Sequence, residues 1–143
     1  MLTQRSRYAL RAMLFLATQP PASRPIPMGR IAAEANVPRK FLELILADLR
    51  EAGFLHSHRG KMGGYLLARP THLLSLGEII RVIEGPLALV PCVSRTAYRP
   101  CSDCKDEAAC AIRIAMARVR DETARILDGT SLADAAMVEL AAA

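Results

Sequence analysis

Apolar residues recur at helical spacing along the first fifty residues of the chain. Residues 5–19 are apolar on nearly every side between Tyr8 and Ala17, which predicts a buried helix. A Pro-rich run at 20–27 ends this helix, and two further segments then carry apolar residues at positions i, i+3, i+4 and i+7. These residues are Met28, Ile31, Ala32 and Ala35 in a second helix, and Leu42, Ile45, Leu46 and Leu49 in a third, which Gly53 ends.

A β-hairpin is predicted at 54–70, where two short apolar segments flank a Gly-rich basic turn. Ser75 and Glu78 then have the spacing of a capping box, in which each side chain accepts a backbone N–H at the start of a helix. This fourth helix ends at Gly85. A helix, a tight break, a second helix and a basic hairpin follow one another in a winged helix-turn-helix, and we expect that fold here.

The second half begins with an irregular loop at 86–106 and continues with a long helix at about 107–128. Ser131 and Asp134 are expected to cap a last short helix. The predicted fold class is mainly α with a small β-hairpin, a winged helix-turn-helix followed by a long C-terminal helix. One stripe of that long helix is apolar and consists of Ile112, Ala115, Met116, Val119 and Ile126.

Charge is divided unevenly between the two halves. Residues 1–70 hold 11 Lys and Arg against 4 Asp and Glu, whereas residues 71–143 hold 8 against 10. A basic half joined to a mildly acidic half indicates that the first half binds a polyanion such as a nucleic acid. A basic surface that is merely solvated is the alternative.

The third helix and the hairpin supply candidate DNA contacts. Arg39, Lys40 and Glu43 occupy the outward-facing first turns of the helix, where basic side chains can contact guanine or phosphate and Glu can accept from cytosine. Arg59, Gly60 and Lys61 form the hairpin tip, where glycine permits close approach to a backbone. Two amphipathic helices and a hairpin also occur in small α+β cores that bind nothing, but the basic surplus in the same half favours DNA binding.

Four cysteines lie within nineteen residues, at Cys92, Cys101, Cys104 and Cys110, and there are none elsewhere. Thiolates are good ligands for zinc and for iron–sulfur clusters, and the clustering predicts a metal or redox site. The spacing matches neither ferredoxin pattern and holds a single CxxC where a zinc ribbon needs two. A thiol switch at Cys101 and Cys104, structural zinc and inert cysteines remain alternatives.

The residues at 34–70, EANVPRKFLELILADLREAGFLHSHRGKMGGYLLARP, resemble the Rrf2 family of bacterial regulators typified by IscR, NsrR and RirA. The similarity extends to RSRYALRAM near the start, to SLGEIIRVIEG at 75–85 and to the later cysteines, and so covers nearly the whole chain. The resemblance implies a homodimer that binds palindromic operators in double-stranded DNA. It implies that 38–51 is the recognition helix, that 59–64 is the wing tip and that the long helices pair across the two-fold axis.

The same resemblance implies a [2Fe-2S] or [4Fe-4S] cluster held by three cysteines, for which Cys92, Cys104 and Cys110 have the matching positions. Purified protein need not retain such a cluster. Cys101 is an extra thiol relative to the family pattern, and no histidine lies near the cysteines in sequence. Cys101 is therefore the candidate for the fourth ligand. Glu43 takes the position at which such regulators use an acidic residue to read DNA.

We therefore expect three regions: a DNA-binding domain at 1–85, a sensing loop at 86–106, and a dimerisation helix with a C-terminal tail at 107–143. The expected function is a DNA-binding regulator, with repression the commoner role in the family, that senses cluster or redox status through the cysteines. One alternative is a cluster-free thiol-switch or cysteine-metabolism regulator of the same fold. Another is an iron–sulfur or zinc protein that does not bind DNA.

No enzyme is expected, because the sequence has no Ser/His/Asp set, Walker loop or GxGxxG motif. No membrane partner is expected either, since no run of 18 uncharged apolar residues occurs. The first twenty residues carry three arginines and no cleavage-site pattern, which favours a cytoplasmic protein.

Overall fold

The mainly helical architecture with one β-hairpin is confirmed. The computed structural model of the chain describes residues 2–21 and 23–143. Two short 3-10 turns, Thr71–Leu73 and Pro91–Val93, accompany the regular elements. In chain order the elements are α1 (Gln4–Ala17), α2 (Met28–Glu34), α3 (Arg39–Glu51), β1 (Leu55–His58), β2 (Gly64–Leu67), α4 (Leu76–Glu84), α5 (Ala111–Gly129) and α6 (Leu132–Ala142).

The hydrophobic core lies among α1, α2, α3, α4 and the hairpin. The buried side chains of α3 are the four that the periodicity predicts, Leu42, Ile45, Leu46 and Leu49. Helix α6 returns from the far end of the chain to pack on α1, and it places Leu132 in the same core. The backbone N–H of Leu132 donates to Leu74 O at 2.7 Å, which fixes this return.

The hairpin is held against the helices by an additional backbone pair. Strands β1 and β2 are antiparallel, with Leu55 opposite Leu67. Ile26 and Tyr65 exchange backbone hydrogen bonds of 3.0 and 2.9 Å, which fasten β2 to the segment before α2. A Cβ on Gly64 would collide with the backbone of Ile26, so only glycine permits this approach.

Both predicted capping boxes are present. Ser75 Oγ accepts the N–H of Glu78, and the Glu78 carboxylate accepts the N–H of Ser75, at the start of α4. Ser131 and Asp134 make the reciprocal pair at the start of α6. These hydrogen bonds satisfy N–H groups that a helix start leaves without partners.

The long helix begins later than the expected residue 107. Cys110 is its N-cap, and Cys110 Sγ accepts the N–H of Arg113 at 3.5 Å. The chain just before this helix forms a turn, in which the Asp106 carboxylate accepts the N–H of Ala108 at 2.9 Å. All four cysteines therefore precede α5, and the irregular segment that carries them continues to residue 110 rather than 106.

Helix α5 has no buried residue along its nineteen residues. Ile112, Val119 and Ile126, which belong to the predicted apolar stripe, are exposed in the single chain. Within the described part of the chain, no helix combines the length and the apolar character needed to cross a membrane.

Candidate functional site

Helix α3 presents its polar face to solvent because its apolar face is buried in the core. Arg39, Lys40 and Glu43 are all exposed, as the sequence predicts. In the described residues neither basic side chain pairs with a carboxylate, so both charges are available to a partner. The Lys40 ammonium lies 4.9 Å from the centre of the Phe41 ring, which positions it at the start of the helix.

Two apolar side chains on this face were missed by the sequence analysis. Leu44 is 66% exposed and Phe41 is 45% exposed, on the same outward side as Lys40 and Glu43. Apolar side chains at a DNA-reading surface can contact thymine methyl groups. The signal was present in the sequence, because Leu44 falls outside the i, i+3, i+4, i+7 set that the core uses.

The hairpin tip is a second exposed basic element. Arg59, Gly60, Lys61 and Met62 are exposed, and Gly60 has φ +102°. The N–H of Gly63 donates to Gly60 O at 3.0 Å and closes the turn. Arg59 and Lys61 have no carboxylate partner among the described residues, so the tip is a projecting cationic loop next to α3.

The four cysteines, although spread over nineteen residues, line one cavity of about 480 Å³. Cys92 is buried in the short turn Pro91–Val93, and Cys110 lies at the start of α5. Cys101 is exposed and Cys104 is half-buried at the mouth. All four are free thiols.

The thiols influence one another across this cavity. A hydrogen bond with Cys92, and then its charge, raise the pKa of the Cys101 thiol above its ordinary value. Burial, followed by the charges of Glu107 and Cys110, raises the pKa of Cys104. Both groups are therefore protonated at neutral pH, and neither is a preactivated thiolate nucleophile.

The donor set suits a soft metal or an iron–sulfur cluster, because four sulfur ligands surround one space. Arg113, which also lines the cavity, has a buried Nε–H that lies 3.8 Å from Glu107 Oε2 but makes no hydrogen bond in the described structure, and a bound cluster would offer it a closer acceptor. In the described residues, however, no three Cys, His, Asp or Glu side chains are placed to hold a metal ion as they stand. The chemistry of the residues fits such a group, and binding it would require the thiols to be drawn together.

The cysteine-bearing segment is clamped to α5 by Arg120. Arg120 Nη1 donates to the carbonyl oxygen of Val93 at 2.6 Å, next to the buried Cys92. The Asp121 carboxylate accepts from Arg120 Nε at 2.9 Å and from Arg95 Nη2 at 3.1 Å. These hydrogen bonds, that of Arg120 first, hold the pKa of Asp121 below its ordinary value, so the clamp is fully charged at neutral pH.

A second ion pair attaches the C-terminal end of α5 to α4. Arg81 on α4 donates two hydrogen bonds to the Asp128 carboxylate, at 2.6 and 2.9 Å. The pair lowers the pKa of Asp128 and raises that of Arg81. A Cβ at Gly77 would collide with the Asp128 carboxylate, so a larger residue there would require the Asp128 side chain to move. Helix α5 is therefore attached both to the cysteine segment and to the helix that follows the hairpin.

The family model named Rrf2, described as an iron-dependent transcriptional regulator, matches residues 2–137. The chain belongs to the Rrf2 family. An rrf2-like HTH-type transcriptional regulator of Rhodobacter capsulatus is 44% identical over 136 residues, which cover 94% of this chain and 91% of that protein.

Solved structures of Rrf2 regulators have the same fold. CymR, the global cysteine regulator of B. subtilis, superposes with a TM-score of 0.78 at 32% identity, covering 96% of this chain and 97% of CymR. IscR of T. potens gives 0.74 at 28% identity, covering 99% and 88%. The winged helix-turn-helix is confirmed, and these relatives are transcriptional regulators rather than enzymes.

Replacing Arg120 with Gln is expected to make Cys92 more accessible. The charge-assisted hydrogen bond from Arg120 to Val93 O stabilises the closed position of the cysteine segment by about 1.4 kcal/mol. Its loss should raise the fraction of chains in which this segment is detached from α5 roughly tenfold. The measurement is the rate of Cys92 modification by Ellman's reagent, in a chain whose other three cysteines are Ser. Arg125→Gln, on the exposed side of α5, is the matched control. Equal rates in Arg120→Gln and the control would show that Arg120 does not restrain the segment.

Proposed function

We propose that this Rrf2 regulator is a cytoplasmic homodimeric repressor that binds palindromic operators, and that its cysteine cavity senses cluster or redox status. The observation that carries the DNA-binding part is the exposure of the cations at the start of α3 and at the hairpin tip, where Arg39, Lys40, Arg59 and Lys61 are free of carboxylate partners in the described structure. Family membership disfavours the alternative of a metal protein that never meets DNA.

The proposed DNA-reading roles are consistent with the size and exposure of α3 and the hairpin tip. Helix α3 has the diameter to enter the major groove, which is about 12 Å wide. Arg39, Lys40 and Glu43 would then face base edges and phosphates, with Leu44 beside them. The tip formed by Arg59, Gly60 and Lys61 would contact the adjacent backbone or minor groove.

The dimer is proposed from the uncovered face of α5. Ile112, Val119 and Ile126 are separated by seven residues each, with Ala115 between the first two, which is the spacing of a two-helix seam. Apolar patches of this kind are normally covered in soluble proteins. A second copy of α5 provides a matching apolar face, and the two-fold axis would place two α3 helices for two half-sites.

These assignments divide the chain into three functional regions. The DNA-binding domain is 1–85, the sensing segment is centred on 86–106, and 107–143 carries the dimerisation helix. The packing of α6 on α1 adds a contact between the last region and the first. Because α6 follows α5 directly in the chain, a movement of α5 would also displace α6 and so change its contacts with α1 in the DNA-binding domain.

The cysteine cavity is proposed to hold an iron–sulfur cluster through Cys92, Cys104 and Cys110, with Cys101 as the fourth ligand. The cluster would supply a redox-sensitive, thiolate-ligated centre. Support comes from the shared cavity, the orphaned Nε–H of Arg113 and the iron-dependent description of the family.

A thiol switch without a cluster is the second candidate, and a specific observation favours it. All four free thiols line one cavity, so a two-electron oxidant such as a peroxide or a small disulfide could join two of them, Cys101 and Cys104 among the candidates, without any metal. The similarity to CymR, the global cysteine regulator of B. subtilis, supports the same alternative.

The affinity for DNA is expected to fall as the salt concentration rises. This dependence should become weaker when the positive charges of the hairpin tip are removed. In Arg59→Gln with Lys61→Gln, each lost phosphate contact should reduce the slope of log affinity against log salt by about 0.9. Fluorescence anisotropy on a random-sequence duplex measures this, with Arg125→Gln, which removes one positive charge from α5, as the control for a charge lost away from the wing. A wild-type chain with no salt-dependent affinity for duplex DNA would refute the proposed function.

Anaerobic purification, followed by an absorbance spectrum and by iron, sulfide and zinc analysis of one sample, separates the two candidates for the cavity. The cluster predicts brown protein with equal iron and sulfide, and a colourless quadruple Cys→Ser variant. Wild-type protein that is colourless, has four titratable thiols and stays colourless after anaerobic reconstitution with iron and sulfide would contradict the cluster and support the thiol switch. One zinc per chain would contradict both.

A further inference from the structure

A small concavity separates the end of the recognition helix from the base of the hairpin. It has a volume of about 300 Å³, and its polar lining comes from Arg50, Ser57, His58, Arg59 and Tyr65. None of its nine lining residues is acidic. The remainder of the wall is made by Pro27 and Met28 and by Gly63 and Gly64 of the hairpin.

Arg50 is a cation of this concavity that belongs neither to the first turns of α3 nor to the hairpin tip. It lies in the last turn of α3, is exposed, and forms no ion pair among the described residues. Its one polar contact in the described structure is a long one, in which Nη1 donates to Ser57 Oγ at 3.5 Å. The guanidinium therefore retains most of its hydrogen-bond donors and its full charge.

A concavity with cations and no carboxylates suits an anion, and its position between α3 and the hairpin indicates which anion it would bind. If α3 enters the major groove and the hairpin tip reaches the adjacent minor groove, the ridge between the two grooves is one sugar–phosphate strand. The concavity lies between those two elements, since α3 supplies Arg50 and the hairpin supplies Ser57 and His58. That ridge would pass directly over it.

The shape of the hairpin base supports the same assignment. Gly63 and Gly64 line the concavity, and a Cβ on either would collide with neighbouring backbone. The turn is therefore packed tightly against Ile26 and Pro27, which gives the concavity a rigid wall. Arg can donate two parallel hydrogen bonds to a phosphate, and Ser57 and Tyr65 carry hydroxyl donors.

We infer that this concavity binds one phosphodiester of the DNA backbone, with Arg50 as its principal ligand, and so sets the register between the recognition helix and the wing. The inference rests on the proposed DNA-binding function and adds a contact outside the residues assigned to base reading and to the wing tip. Such a contact is independent of base sequence, because a phosphate carries no sequence information.

The test is the salt dependence of binding to a random-sequence duplex by the full chain, measured for wild type, Arg50→Gln, Arg50→Lys and the control Arg125→Gln. Arg50→Gln should reduce the slope by about 0.9, whereas Arg50→Lys, which keeps the charge, should retain the wild-type slope. Arg125→Gln should also retain it. A thermal midpoint for each variant establishes that every chain is folded.

An unchanged slope in folded Arg50→Gln, with salt-dependent wild-type binding, would overturn this inference and leave the proposed function intact. No wild-type binding to duplex DNA would overturn both. A parallel titration uses inorganic phosphate in place of DNA. Binding of free phosphate together with an unchanged DNA slope in Arg50→Gln would assign the concavity to a small anion instead and overturn the DNA contact.

Discussion

The uncovered apolar face of α5 is the constraint on which the arrangement of the whole chain depends. A nineteen-residue helix with no buried side chain contributes little to the stability of a single chain, because helices gain most of their stability from packing. Cys110 caps the start of this helix, and the Arg81–Asp128 ion pair attaches its other end to α4. We propose that α5 of a second copy covers this face. The distance between the two α3 helices of the dimer would then depend on how α5 is oriented relative to the DNA-binding domain.

The cysteine segment is attached to the same helix. Arg120 binds the carbonyl of Val93, adjacent to Cys92, so any change in the cavity that moves this segment must act on α5 or break the clamp. A ligand or oxidation state changes DNA affinity only if it has different free energies in the two arrangements of the chain. The clamp would provide such a difference if its hydrogen bonds, which are made in this structure, were lost in a second arrangement. A cluster and a disulfide would use the same connection.

The sequence was most informative where the physics is local. Capping boxes at Ser75 and Ser131, and the hairpin at 54–70, depend on residues a few positions apart, and both features were found. The start of α5 was misplaced because Glu107 and Ala108 suit a helix, whereas the cap at Cys110 depends on how the preceding turn closes. Periodicity cannot reveal the Arg120–Val93 contact, which spans 27 residues. The concavity at Arg50 likewise requires knowing that α3 and the hairpin base meet.

The most direct test of the account is the DNA affinity of one anaerobic preparation before and after thiol oxidation by diamide, and again after reduction. Coupling energies between sites are typically about 1–3 kcal/mol, so the account predicts a reversible change of about tenfold in wild-type protein. The quadruple Cys→Ser variant should show none. Unchanged wild-type affinity, in a sample whose thiols have demonstrably reacted, would contradict the claim that the cysteine cavity controls DNA binding.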